Sequence, residues 1–270
     1  MAHIASFLLT TKLPIMPEVA KSLISTLNDP DAGRAAVCTI IAKDPALTAT
    51  LVRMANSAIF GLSRSVTSLD SAVSVVGMSQ IRARALSICM GGVFEMPLGL
   101  NRLDYWHHSM VCAGYSKWLA GSIGADENQA WLTGMMLRLG EIIIGNRKPA
   151  MIGHIEMKPC APGERWAREK ALTGFDEGQI MAEIARRWDF PDSIVEALSA
   201  SAAPLSTATF SPLGAIVHLA ALLSDQIAYT EKVLQTLPPE VVQKLQLNLP
   251  KLQAQLPDPE SFSDISMMQT

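Results

Sequence analysis

The chain has 270 residues, of which 49% are apolar and 17% charged. That excludes a disordered protein and leaves room for one large domain or two smaller ones. A net charge of −3 with a pI of about 6.0 argues against a dedicated nucleic-acid binder, which carries a basic face. Aromatics are scarce at 6% while methionines number 14, a balance that favours helices over strands. Val19, Leu23, Ile24 and Leu27 share one helical face. Asn28, Asp29 and Pro30 end that helix, and Asp31 is placed to cap the next. Asp44-Pro45 supplies an acidic cap and a first-turn proline to a third helix, whose apolar face is Leu47, Leu51, Met54 and Ala55. Thr67 with Asp70 reads as a capping-box-like start before Leu69, Val73 and Val76, and Gly77 stops that helix. A further helix spans about Ser79 to Cys89.

Gly91, Gly92, Pro97 and Gly99 punctuate the chain. The sequence is divided there into an N-terminal lobe, 1–97, and a second lobe, 98–237, followed by short C-terminal pieces and a mobile tail, 238–270. In the second lobe, helices are predicted over about 103–121, 127–144, 164–173, 177–188, 191–200 and 212–228. The polar tail from Asp258 is expected to be mobile. No stretch reaches the ~18 apolar residues of a membrane helix, and the N-terminus lacks the basic start and small-residue site of a signal peptide. Cys38, Cys89, Cys112 and Cys160 form no C-x-x-C pair. Free thiols in a reducing compartment are the simplest reading, with no zinc knuckle. A cytoplasmic location without a membrane partner is expected.

Several fragments fall in a recognisable order: Leu13-Pro14-Ile15-Met16-Pro17-Glu18-Val19, Leu27-Asn28-Asp29-Pro30, Ala42-Lys43-Asp44-Pro45-Ala46-Leu47-Thr48, Arg53-Met54-Ala55-Asn56-Ser57-Ala58-Ile59-Phe60-Gly61 and Val66-Thr67-Ser68-Leu69-Asp70-Ser71-Ala72. Together they resemble the HDOD family, a branch of the HD superfamily of helical metal phosphohydrolases. The resemblance covers roughly residues 13–228 and fades after the break near Pro97. It implies an all-α, two-lobed fold whose second lobe is built like an HD phosphohydrolase.

HD enzymes hold metal with an H…HD…D set on facing helices, where imidazole and carboxylate ligands fix an ion that activates water. By resemblance, His108 matches the first histidine. Gly134-Met135-Met136-Leu137-Arg138-Leu139-Gly140 matches the element carrying the His-Asp pair, so Leu137 and Arg138 replace both ligands. Ala221 falls at the final aspartate, and Glu177 stands where many relatives carry a histidine. The paired histidines often found after the tryptophan fall at Ala200 and Ser201. Leucine offers no lone pair, and arginine brings a fixed positive charge. The site is therefore read as degenerate, with no catalytic residues, no metal and no cofactor. Arg138 is expected to fill or neutralise the space of a metal, paired with Glu177, Asp176 or Glu141. Neighbouring His107 and His108 lie ~100° apart on a helix, so only one can face inward.

No P-loop, G-x-S-x-G or H-E-x-x-H occurs, and nothing in the sequence activates Cys112 or Cys160. The function expected from the resemblance and the lost ligands is a non-catalytic bacterial signalling module acting through protein–protein contacts. Two alternatives stay open. One is a metal-dependent phosphohydrolase. The other is a module sensing a nucleotide or cyclic dinucleotide, with Arg138 meeting a phosphate. For contacts with a protein partner, the recognition loop would be Asn56, Ser57, Ile59, Phe60 and Gly61, with Ile59 and Phe60 as apolar anchors. The same residues can instead serve only to fix a helix–loop–helix turn.

Overall fold

In the computed structural model, the structure describes residues 4–9, 11, 13–57, 60, 65–226 and 232–262. Sixteen α-helices follow in order: α1 Ile4–Leu9, α2 Glu18–Ser25, α3 Arg34–Ile41, α4 Pro45–Ala55, α5 Leu69–Val76, α6 Met78–Val93, α7 Arg102–Ser122, α8 Glu127–Leu137, α9 Leu139–Arg147, α10 Ala150–Ile155, α11 Glu164–Thr173, α12 Glu177–Arg187, α13 Asp192–Ala200, α14 Pro212–Ser224, α15 Pro239–Lys244 and α16 Leu249–Ala254. The 3-10 turns Val233–Thr236 and Pro259–Phe262 accompany them among the described residues. Among the described residues there is no strand, so the fold is all-α. No single helix among them is long and apolar enough to cross a membrane.

Local sequence accounts for most helix ends. Asp44 caps α4 as its sequence predicts, with Oδ1 accepting from the N–H groups of Ala46 and Leu47 at 3.0 Å each. Two caps lie elsewhere than expected. Gly33, not Asp31, precedes α3, because Asp31 lies in the turn after α2, where its own N–H bonds Asp29 Oδ1. Ser68, not Thr67, caps α5 and accepts from Ser71 N–H. Gly77 joins α5 to α6 at φ +96°, a backbone state that a side chain would strain. Gly91 and Gly92 lie inside α6, which runs on to Val93.

Helices α2–α6 pack on one another, and α6 also packs on α8. Two arginines on α6 work at this junction. Arg82 donates to the Thr26 carbonyl at the end of α2 (2.7 Å), and Arg84 lies 3.6 Å over the Trp131 ring of α8. Around α8, helices α7, α9, α12, α13 and α14 build a second bundle. The buried apolar residues of both groups form one continuous core, with Leu23, Leu51 and Ile81 at one end and Tyr115, Met136 and Leu219 at the other. Half of the 14 methionines are buried there, among them Met54, Met90, Met135 and Met181. Helix α1 packs on α12, with Phe7 edge-on to Phe175 (6.1 Å) and beneath the Arg147 guanidinium.

The tail expected to be mobile is anchored as far as Phe262. Its ring packs edge-on to Tyr115 at 5.2 Å and lies over Gly114, where a Cβ would come within 2.2 Å of it. The Tyr115 hydroxyl adds a bond to the Pro257 carbonyl. An aromatic residue in a polar tail finds an apolar seat only because position 114 has no side chain. Residues 263–270 lie outside the described residues.

Candidate functional site

The uninterrupted helix expected over 127–144 divides at Arg138 into α8 and α9. Just beyond it, α9 meets the start of α12 backbone to backbone. A Cβ at Gly140 would lie 2.0 Å from the Glu177 carbonyl oxygen, so only glycine fits. Asp176 caps α12 in a full capping box with Gln179. These two constraints hold the Glu177 side chain, which is fully buried, against the cleft between α7, α9, α11 and α14.

Two guanidinium groups occupy that cleft. Arg138 is 7% exposed, and donates to Glu141 Oε2 and Glu156 Oε1 at 2.7 Å each. Its guanidinium lies 5.3 Å over the Tyr105 ring. Of the three partners expected for it, Glu141 is the one found. Glu177 goes to a second arginine, and Asp176 is taken by its capping role and by Lys170 (3.1 Å). The second arginine is Arg165 on α11. It bridges Glu177 (3.3 Å), Asp225 (3.4 Å) and Glu141 (3.5 Å). Trp166, its neighbour, donates its indole N–H to Glu177 Oε1 at 2.9 Å.

Asp225 closes the far side. It accepts from His108 Nε2 at 2.7 Å and from Gly163 N–H at 2.9 Å. His108 is the inward member of its pair, and His107 points out to Glu260 (3.4 Å). Leu137 is buried against Gly178, and Ala221 is buried on α14 one turn before Asp225. Of the five positions read as a degenerate metal site, the structure brings His108, Arg138 and Glu177 into one ion cluster, while Leu137 and Ala221 are core. Sequence reading missed Asp225 and Arg165. Asp225 had a signal: it lies four residues after Ala221, on the same helical face. Arg165 sits in Glu164-Arg165-Trp166-Ala167-Arg168-Glu169-Lys170, a run that reads as a solvated charged face.

Burial and charge pull on these groups in opposite directions. Burial pushes the Asp225 carboxyl up, but Arg165, His108 and the Gly163 N–H outweigh it and hold it below the usual range. Burial, with Arg138 nearby, holds the His108 imidazole down to about 4, so the ring is neutral. Burial pushes Glu141 up to about 7 despite Arg138 and Arg165. Glu169, whose Oε2 accepts from Glu177 N–H at 2.7 Å, is raised further, by burial and then by Glu177. The buried thiol of Cys112 is pushed up to about 12, so it is no nucleophile.

The HD fold family implies a metal, and the residues present do not fit one. His108 and Asp225 are paired to each other, and two cations hold Glu141, Glu156 and Glu177. Among the described residues, no group of three or more His, Cys, Asp or Glu side chains is placed to hold a metal ion.

In the proposed recognition loop, Asn56 is structural. Its side chain donates to the Val52 and Val66 carbonyls (3.0 and 2.8 Å) and accepts from Val66 N–H (2.8 Å). It thereby ties the end of α4 to the approach to α5. Phe60 is half-buried against the core, and the Ser57 hydroxyl is buried without a partner. Ile59 and Gly61 lie outside the described residues.

The fold is shared with several solved structures. A candidate phosphohydrolase from Shewanella amazonensis SB2B matches with a TM-score of 0.80 at 23% identity, covering 95% of each chain. A candidate signal transduction protein from Marinobacter aquaeolei VT8 matches at 0.80 and 21%, over 100% of this chain and 62% of its own. An HDOD domain protein of unknown function from Geobacter sulfurreducens matches at 0.78 and 19%, over 97% and 96%. An uncharacterized protein of Treponema pallidum (strain Nichols) is 21% identical over 191 residues, which is 69% of this chain but 37% of the relative's length. The HDOD domain family matches residues 13–204, and the chain belongs to that family.

Proposed function

We propose that this chain is a non-catalytic bacterial signalling module that works through contacts with a protein partner. One observation carries the reading. The cleft where an HD enzyme would place its metal is filled by Arg138 and Arg165, each paired to carboxylates. A phosphohydrolase needs those carboxylates free to hold a cation, and a nucleotide sensor built on Arg138 needs that guanidinium free for phosphate. Here both functions of the cleft are consumed internally. The candidate contact surface is the connection between α4 and α5, with Asn56 as its frame and Phe60 and Ile59 as its anchors.

The test has two arms. Elemental analysis of protein purified without chelators or a metal-affinity step should give no stoichiometric iron, manganese or zinc. A phosphodiester such as bis(p-nitrophenyl) phosphate should not be turned over with added manganese. One tightly held transition metal per chain, or turnover abolished by His108→Ala, overturns the reading. For the surface, Ile59→Ala and Phe60→Ala should lower capture of cellular partners with the melting temperature nearly kept for at least one of them. Capture that falls only in step with stability removes the loop from consideration.

A further inference from the structure

A second cleft lies on the outer side of the ion cluster. It is an open cleft of about 520 Å³, within the range of small-molecule sites. Its apolar walls are Pro162, Trp166, Ala202, Leu222 and Pro238. Gly163, His218, Gln226 and Thr236 also line it. We propose that this cleft binds a small neutral aromatic molecule that donates one N–H or O–H to His218 Nε2.

The assignment rests first on His218. Its Nδ1 lies 2.7 Å from the Ser201 carbonyl. A carbonyl only accepts, so Nδ1 carries the ring proton and Nε2 of the neutral ring offers a lone pair. That atom has no partner among the described residues, although the residue is only 8% exposed. Trp166 stacks on the imidazole at 5.2 Å and 25°, which fixes the ring plane. Its own N–H is committed to Glu177, so it offers the cleft no polar atom.

Charge decides the ligand class. Among the described residues, no lysine, arginine, aspartate or glutamate lines the cleft. A phosphate would find no cation, and an amine no carboxylate. The polar side chains Gln226 and Thr236 are bonded to each other (3.3 Å). His218 Nε2 is then the acceptor on a buried residue beside the apolar wall of Trp166 and Leu222, with the Gln226 amide at the edge, which suits a neutral planar ring with a single donor. Gly163 ties this cleft to the cluster behind it, since its N–H holds Asp225 while its Cα faces Leu222 and Trp166.

Indole is a suitable probe, with 1-methylindole as the matched molecule lacking the donor. The readout is the histidine ring nitrogens of the full chain by NMR, with His218 assigned through His218→Phe. Indole should shift Nε2 of His218 saturably, and 1-methylindole should bind about fivefold more weakly, as one hydrogen bond demands. In His218→Phe the two probes should bind alike. Leu222→Trp fills the slot, and Ala202→Phe fills its mouth. Whichever of these keeps the native fold should abolish binding. The proposal is overturned by an unmoved His218 up to the solubility limit of indole, by equal affinity of the two probes for the native chain, or by binding that survives the filled cleft.

Discussion

The cleft between α7, α9, α11 and α14 and the bundle of α2–α6 keep their shapes by different means. The first holds two buried arginines, the buried carboxylates of Glu141 and Glu177, the partly buried ones of Glu156 and Asp225, and a neutral histidine. The second relies mainly on apolar packing, and its few buried polar side chains, such as Thr50 and Ser87, belong to no ion network. A buried charge network is cooperative, because each ion is tolerated only while its partners stay. An apolar bundle instead spreads its stability over many small contacts. The chain therefore carries one region that fails abruptly when a single member is lost, and one that degrades gradually.

The sharpest break of that contrast is Arg165→Met. It leaves Glu177, Glu141 and Asp225 short of a counter-charge in a buried site and should cost about 3–5 kcal/mol. Urea unfolding at pH 7 measures it. A loss below ~1 kcal/mol would mean that the cluster is solvated in practice. Next in size is the pH response of His108. Its folded pKa is about 4 against an ordinary value of 6.5. The unfolded chain therefore takes up the proton first, and the contribution is complete above pH 6.5 and lost as pH falls toward 4. The stability difference between the native chain and His108→Gln should shrink by up to ~3 kcal/mol across that window. Glu141 works the other way in the same range, since its raised pKa lowers stability as pH climbs from 4.5 to 7. Only the difference between the two proteins isolates the imidazole. A difference that does not change with pH assigns the effect to packing.

In the first bundle, Asn56→Ala should cost about 1–3 kcal/mol, because it strands the Val66 N–H and carbonyl that Asn56 now satisfies. Full stability in that variant would mean that water replaces the amide. At the small end, Glu18→Gln removes an exposed pair with Lys21 at 3.6 Å. It should stay within about 0.5 kcal/mol, which sets the baseline for a surface charge here.

Local signals in the sequence carried the helices, since capping and apolar period act over a few residues. Asp44 and the span Glu164–Thr173 are cases where those signals suffice. They misplaced features decided at long range. The break at Arg138 depends on Gly140 meeting the Glu177 carbonyl, 37 residues away in sequence and in contact only in the fold. Phe262 is anchored by a missing side chain at Gly114. In the site, the pairing of Arg138 with Glu141 was legible because it is a local i,i+3 contact. Arg165 was not, because its helix has the composition of a solvent-facing surface and shows its burial only once α12 and α14 are in place.

The position of Arg165 also governs what this cleft can become. Placing a His-Asp pair at Leu137 and Arg138 would remove one buried cation and add an aspartate beside Glu141, Glu156 and Glu177, while Arg165 still claimed Glu177 and Asp225. Each single substitution is then worse than the present state, for want of a charge partner. Building a metal centre here therefore requires several substitutions at once, because the ion cluster already commits the carboxylates that a cation would need.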